Sequence, residues 1–208
     1  MTERSRSVAN LAILTLTVAL LAGCAAGITA PSRFYILTAQ AKAPMPTAGT
    51  SWNTLSIGVG PVEVASYLDR TQIVSRGSDS DSVLELGEFD RWAEPLDRGI
   101  PRVMLENLAI FLNSKRLTLM AQDPQTPVDC QLVARITGFD GTLGNQAVLT
   151  ARWMLLAGDQ QHIVQWEQTT IKEPTAGGGY QALVEAQSRA LAELCRQIAS
   201  AMESWRKQ

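Results

Sequence analysis

The side chain with the most distinctive chemistry in this 208-residue chain is Cys24, because of what precedes it: Leu21-Ala22-Gly23, with two small residues set directly against the cysteine. A peptidase that cuts just before a cysteine needs small side chains at those places. The reaction it serves is specific to sulfur, since a diacylglyceryl group joins the thiol as a thioether and cleavage then frees an amine for acylation. Two or three acyl chains hold a protein stably at a bilayer where one gives only marginal binding. The spacing predicts Cys24 as a lipidation site.

The residues ahead of it support that reading. Arg4 and Arg6 form a short basic head, and Val8 to Leu21 is an apolar run broken only by Asn10, Thr15 and Thr17. This is the layout of a secretory signal over residues 1–23. The run is too short to cross a bilayer as a helix, which takes about 20 residues. An ordinary signal cleaved near Ala26, with Cys24 incidental, is the alternative. Ala25 and Ala26 follow the cysteine where an Asp would favour retention at the inner membrane, so the expected location is the periplasmic face of the outer membrane. Loss of residues 1–23 moves the net charge from −2 to −3 by removing Arg4, Arg6 and Glu3. That balance and the lack of any basic run argue against nucleic acid as a partner.

Catalytic chemistry finds few candidates, and no enzyme activity or cofactor is expected. The one histidine, His162, falls in a predicted turn, with no second His or Cys at metal-ligand spacing, and no Gly-x-Ser-x-Gly elbow occurs. Asp79, Asp81 and Glu85 lack the central Gly and terminal Glu of an EF-hand and read as a solvated turn. Glu85, Glu88, Asp90, Glu94 and Asp97 form an acidic cluster that could supply a carboxylate pair. The dipole of a following helix accounts for acidic residues there equally well. Gly58-Val59-Gly60 lacks the third glycine of a dinucleotide fingerprint, Glu63 standing in its place.

Cys130 and Cys195 lie beyond the lipidation site. An oxidising compartment allows them a disulfide, while their apolar faces suit two buried thiols. Both possibilities stand at this level. Trp92, Trp153 and Trp166 could present an apolar surface to a partner, but core filling is the expectation for each.

The elements that must carry these residues follow from periodicity. Ala25 to Arg33 reads as a tether within residues 24–33, Phe34 to Thr38 as a short strand, and Ala39 to Trp52 as a loop rich in Pro, Ala and Thr. Leu55, Ile57 and Val59 alternate with small residues as a strand does, with Pro61 implying an edge or a bulge. Gln72 to Ser75 and Val83 to Leu86 form a predicted hairpin. A helix over Leu96 to Asn113 carries an apolar stripe including Ile100, Met104 and Leu108. Pro101 requires either a start near Ile100 or a kink. Asp129 to Gly138, Ala147 to Leu156 and Ile163 to Glu173 make an antiparallel meander. After Gly177 to Gly179 comes a last helix, Tyr180 to Trp205, with Leu183, Leu191, Leu194, Cys195, Ile198 and Met202 on one side and Glu185, Arg189, Arg196 and Glu203 on the other. The expected fold is α/β: a mixed, largely antiparallel sheet packed with two long amphipathic helices in a single domain over 34–208.

Five segments give the sequence a resemblance. Phe34-Tyr35-Ile36-Leu37, Ile57-Gly58-Val59-Gly60-Pro61-Val62, Tyr67-Leu68-Asp69-Arg70, Glu88 through Asp97 and Phe139-Asp140-Gly141 resemble the ABC-type transport auxiliary lipoprotein family. Trp92-Ala93-Glu94-Pro95-Leu96-Asp97 is the most specific of them. The resemblance implies a non-catalytic subunit that works with mammalian-cell-entry domain tunnel proteins and their permeases, which move phospholipids or other hydrophobic molecules between the inner and outer membranes. It implies partnership with the tunnel protein, attachment to the membrane through a lipid anchor, and a possible homo-oligomer, with phospholipid as a possible ligand. Cys24 is the one functional residue it transfers. A lipoprotein of envelope integrity or outer-membrane assembly, tied to no transporter, is the competing expectation.

Overall fold

A computed structural model describes residues 30–46, 51–77, 80, 82–120, 126–158 and 162–206. The signal and Cys24, with most of the tether, lie outside the described residues, as do Asp79 and Asp81. The described residues from Ser32 onward belong to one compact unit.

The predicted meander folds as three long strands, β6 (Cys130–Thr142), β7 (Gln146–Ala157) and β8 (His162–Pro174), paired antiparallel in that order. The turn between β6 and β7 requires a glycine at its edge, because a Cβ on Gly141 would sit 2.2 Å from the Gln146 carbonyl oxygen. Ahead of them, β2 (Ile57–Val64) runs parallel to β6 on one side and to the short β5 (Leu117–Leu119) on the other. The five-stranded order is β5-β2-β6-β7-β8. Pro61 lies where the β2–β6 register shifts, between Val59 and Val62, and Gly60 supplies the positive φ of 116° there. β2 pairs with β5 only over Ile57 to Val59, so beyond Pro61 its other side has no β5 partner. Edge and bulge coincide.

A second, three-stranded sheet joins β1 (Arg33–Tyr35), β4 (Leu84–Trp92) and β3 (Gln72–Arg76), with β4 central. β3 and β4 are the expected antiparallel hairpin, whereas β1 lies parallel to β4 from 57 residues away. The sheet is therefore mixed as expected, but divided in two.

Helix α1 (Leu96–Phe111) opens directly after Pro95, whose extended backbone ends the preceding segment. Pro101 falls in its second turn without displacing its start. It forgoes only the bond its N–H would have made to the Asp97 carbonyl. Helix α2 (Tyr180–Trp205) packs against α1, β7 and β8. Between these helices and the inner sheet face lies the core, which includes Ile57, Leu132, Ile136, Trp153, Met104, Leu108, Leu191 and Ile198, all essentially inaccessible. Side chains alternate along a strand, so one face of the large sheet is apolar and helix-covered while the other faces outward.

Glu203 corrects the expected solvent side of α2. It is buried, and its carboxylate accepts a hydrogen bond from the Trp52 indole N–H. Trp52, read as loop, is a core residue in a short 3-10 turn (Trp52–Thr54), with the Arg206 guanidinium 4.7 Å above its ring. An indole N–H buried in a core needs an acceptor, and Glu203 provides it.

Candidate functional site

The residues that carried the family resemblance hold the small sheet and helix α1 in place. Asp90, near the C-terminal end of β4, is buried. Its two oxygens accept from Arg33 at 2.8 Å and from the Tyr35 hydroxyl at 2.7 Å, both on β1. Burial by itself would push the Asp90 carboxyl up, but the hydrogen bonds from Arg33 and Tyr35 and the attraction of the guanidinium outweigh it and hold the group below its ordinary value. Burial and the bond to Asp90 raise the Tyr35 hydroxyl in turn.

Asp140, at the far end of β6, makes the corresponding junction between sheets. It is buried and accepts from the Tyr67 hydroxyl at 2.5 Å and from Arg76 on β3 through both oxygens, at 2.6 and 3.0 Å. A forked guanidinium on a carboxylate fixes orientation as well as distance. Burial, followed by the bond to Asp140, pushes the Tyr67 hydroxyl up to about 12. In the Trp92 to Asp97 segment, Glu94 accepts from Arg102, which also donates to Glu106 and to the Leu37 carbonyl. Trp92 and Leu96 are core residues.

The acidic cluster thus divides by partner. Asp90 and Glu94 are bound by arginines, and Asp97 alone lies in the first turn of α1, where the helix dipole favours it. His162 is exposed at the start of β8. Among the described residues, no group of His, Cys, Asp and Glu is arranged to hold a metal. Cys130 and Cys195 are free, so the disulfide that the sequence allowed is absent here. Both thiols are buried in the core. Cys195 Sγ lies 3.8 Å from the Met104 carbonyl oxygen, and burial raises the Cys130 thiol to about 12 and Cys195 further.

The outer face of the five-stranded sheet is where the structure departs most from the core-filling expectation. Trp153 points inward and is buried, its indole N–H bonded to Thr169, and Trp92 is also buried. Trp166 is 57% exposed. It pairs across the sheet with Met154, which pairs with Val133, so the three form one row across β8, β7 and β6. The next outward row is Gln168, Arg152 and Arg135. Val133, Arg135, Arg152, Met154 and Trp166, together with Pro61 and Glu63 from β2, border a shallow groove of about 240 Å³. Exposure of Trp166 leaves no trace in local periodicity, because whether that face is covered depends on where the helices pack.

Three comparisons with known proteins bear on these arrangements. Solved structures that share the fold include the following two. One is a Xanthomonas campestris protein of the DUF330 family, with a TM-score of 0.69, 17% identity, and coverage of 85% of this chain and 98% of its own. The second is an uncharacterised protein, with a TM-score of 0.65, 21% identity, and coverage of 83% and 99%. No curated protein sequence matches the chain. The family model described as the ABC-type transport auxiliary lipoprotein component matches residues 35–199, which run from β1 into the last turns of α2. The chain belongs to that family of ABC-type transport auxiliary lipoproteins.

Proposed function

We propose that the protein is the membrane-anchored, non-catalytic auxiliary subunit of a system that moves lipids between the inner and outer membranes, working beside a mammalian-cell-entry domain tunnel protein and its permease. Acyl chains on Cys24 hold it at the periplasmic face of the outer membrane, and the residues between Cys24 and β1 are the leash, Arg33 being the first residue of β1. The folded domain acts by contact.

The observation that carries this reading is the family match over residues 35–199. The use of the family-like polar residues agrees with it. Asp90, Asp140 and Glu94 are each taken up by an arginine, so these family-like carboxylates serve to hold the fold together. Copurification tests the proposal. The tagged full chain, extracted from envelopes with its lipid modification intact, is expected to enrich a mammalian-cell-entry domain protein. No enrichment from correctly lipidated material would refute the partnership.

A further inference from the structure

We propose that the outer face of the five-stranded sheet binds one anionic phospholipid, with an acyl chain along Val133, Met154 and Trp166 and the phosphate between Arg135 and Arg152. Strand pairing places the three apolar side chains in a single row. Neighbouring strands are about 4.8 Å apart, so the row is about 10 Å long. Trp166 forms its outer end, and its 57% exposure leaves the indole face open to a chain lying in the groove.

Arg135 and Arg152 point to the charge of the occupant. They are directly opposite each other in the β6–β7 register, one row from the apolar strip. Like charges placed so across a sheet repel. Arg135 has an exposed ion pair with Glu63 at 3.1 Å, whereas Arg152 donates to the neutral Gln168 and, among the described residues, pairs with no carboxylate. An anion bridging the two guanidiniums removes the repulsion, and the planar fork of arginine suits a phosphate. A strip of apolar side chains ending at two cations is the complement of an anionic amphiphile. That the amphiphile is a phospholipid rests on the lipid-transport reading above.

The lipidated full chain in a neutral detergent provides the test. It is titrated with short-chain phosphatidylglycerol carrying brominated acyl chains, which quench tryptophan on contact. Saturable quenching of part of the emission is expected, lost in Trp166→Phe, with the midpoint raised about tenfold in Arg152→Gln. Brominated phosphatidylcholine, with the same chains and no net charge, is expected to bind about tenfold more weakly. Equal quenching in Trp166→Phe, indifference to Arg152→Gln, or equal binding of the two lipids would overturn the site. Quenching confined to intact vesicles would also overturn it, in favour of a membrane-facing surface. All these side chains are partly or fully exposed, and thermal melts of the variants verify their folding. Copurification of the tunnel protein, run on the same variants, separates the two ideas: quenching absent with copurification intact refutes the lipid site alone.

Discussion

The hydroxyl of Tyr67 donates to the carboxylate of Asp140 at 2.5 Å, joining the short turn after β2 to the far end of β6 across 73 residues of sequence. Arg76 grips the same carboxylate from β3. The two donors bring the small sheet against the large one where β2 has ended. Tyr67→Phe removes one donor and leaves the ion pair, so a loss of about 1 kcal/mol in urea denaturation is expected. The phenol is held neutral to about pH 12 in the fold, against an ordinary value of 10. Its contribution is therefore complete below pH 10 and disappears as the pH rises from 10 through 12. The stability gap between wild type and Tyr67→Phe should be constant at neutral pH and close over that alkaline window.

Asp90 gives the opposite sign. Its carboxyl titrates below the ordinary 3.8 in the folded chain, so its contribution is present above that value and lost as the pH falls through the lowered one. Asp90→Ala should destabilise the protein by about 1 kcal/mol at pH 7, chiefly by stranding the Tyr35 hydroxyl. The difference between the denaturation midpoints of wild type and variant should narrow as the pH falls below the ordinary 3.8.

Trp153 and Trp166 lie on adjacent strands with opposite fates. Trp153→Ala opens a cavity beneath α2 and should cost about 3–5 kcal/mol. Trp166→Ala should change stability by no more than about 0.5 kcal/mol. Thermal denaturation of the two variants distinguishes them directly.

Burial makes the two core thiols unreactive. A thiol-specific reagent should leave Cys130 and Cys195 unmodified in the native protein and label both once urea unfolds it. Reduction should leave the mobility of the unfolded chain unchanged, since no bridge joins them.

Local patterns make the meander and the last helix legible in the sequence. Alternation along Cys130 to Ile136 and the stripe from Leu183 to Met202 each depend on neighbours a few residues away. The expected helix Tyr180 to Trp205 coincides with α2, whereas β6 runs past the expected end at Gly138 to Thr142, taking Asp140 into the strand. Pairings between distant segments were not legible. Nothing around Arg33 announces that it faces Asp90, and nothing around Ile57 announces that it lies between Leu117 and Cys130. The same limit explains the misplaced side chains. The polarity of Glu203 predicts the solvent side of its helix, yet Trp52, from 151 residues earlier, meets it in the core. Side-chain type alone predicts a core position for Trp166, yet the helices cover the other face of its sheet and leave it exposed. Asp90 and Asp140 were visible as family-like residues, but their work as junctions needed the partners Arg33, Tyr35, Tyr67 and Arg76, which only the fold brings to them.

Anchoring at Cys24 is the step on which the proposed envelope role depends, because a docking domain without its leash would leave the membrane. Mass spectrometry of the mature protein from its native envelope tests it most directly. The predicted result is a chain beginning at Cys24 that carries a diacylglyceryl thioether and an acylated amine. An unmodified terminus at Ala26 or elsewhere would contradict it.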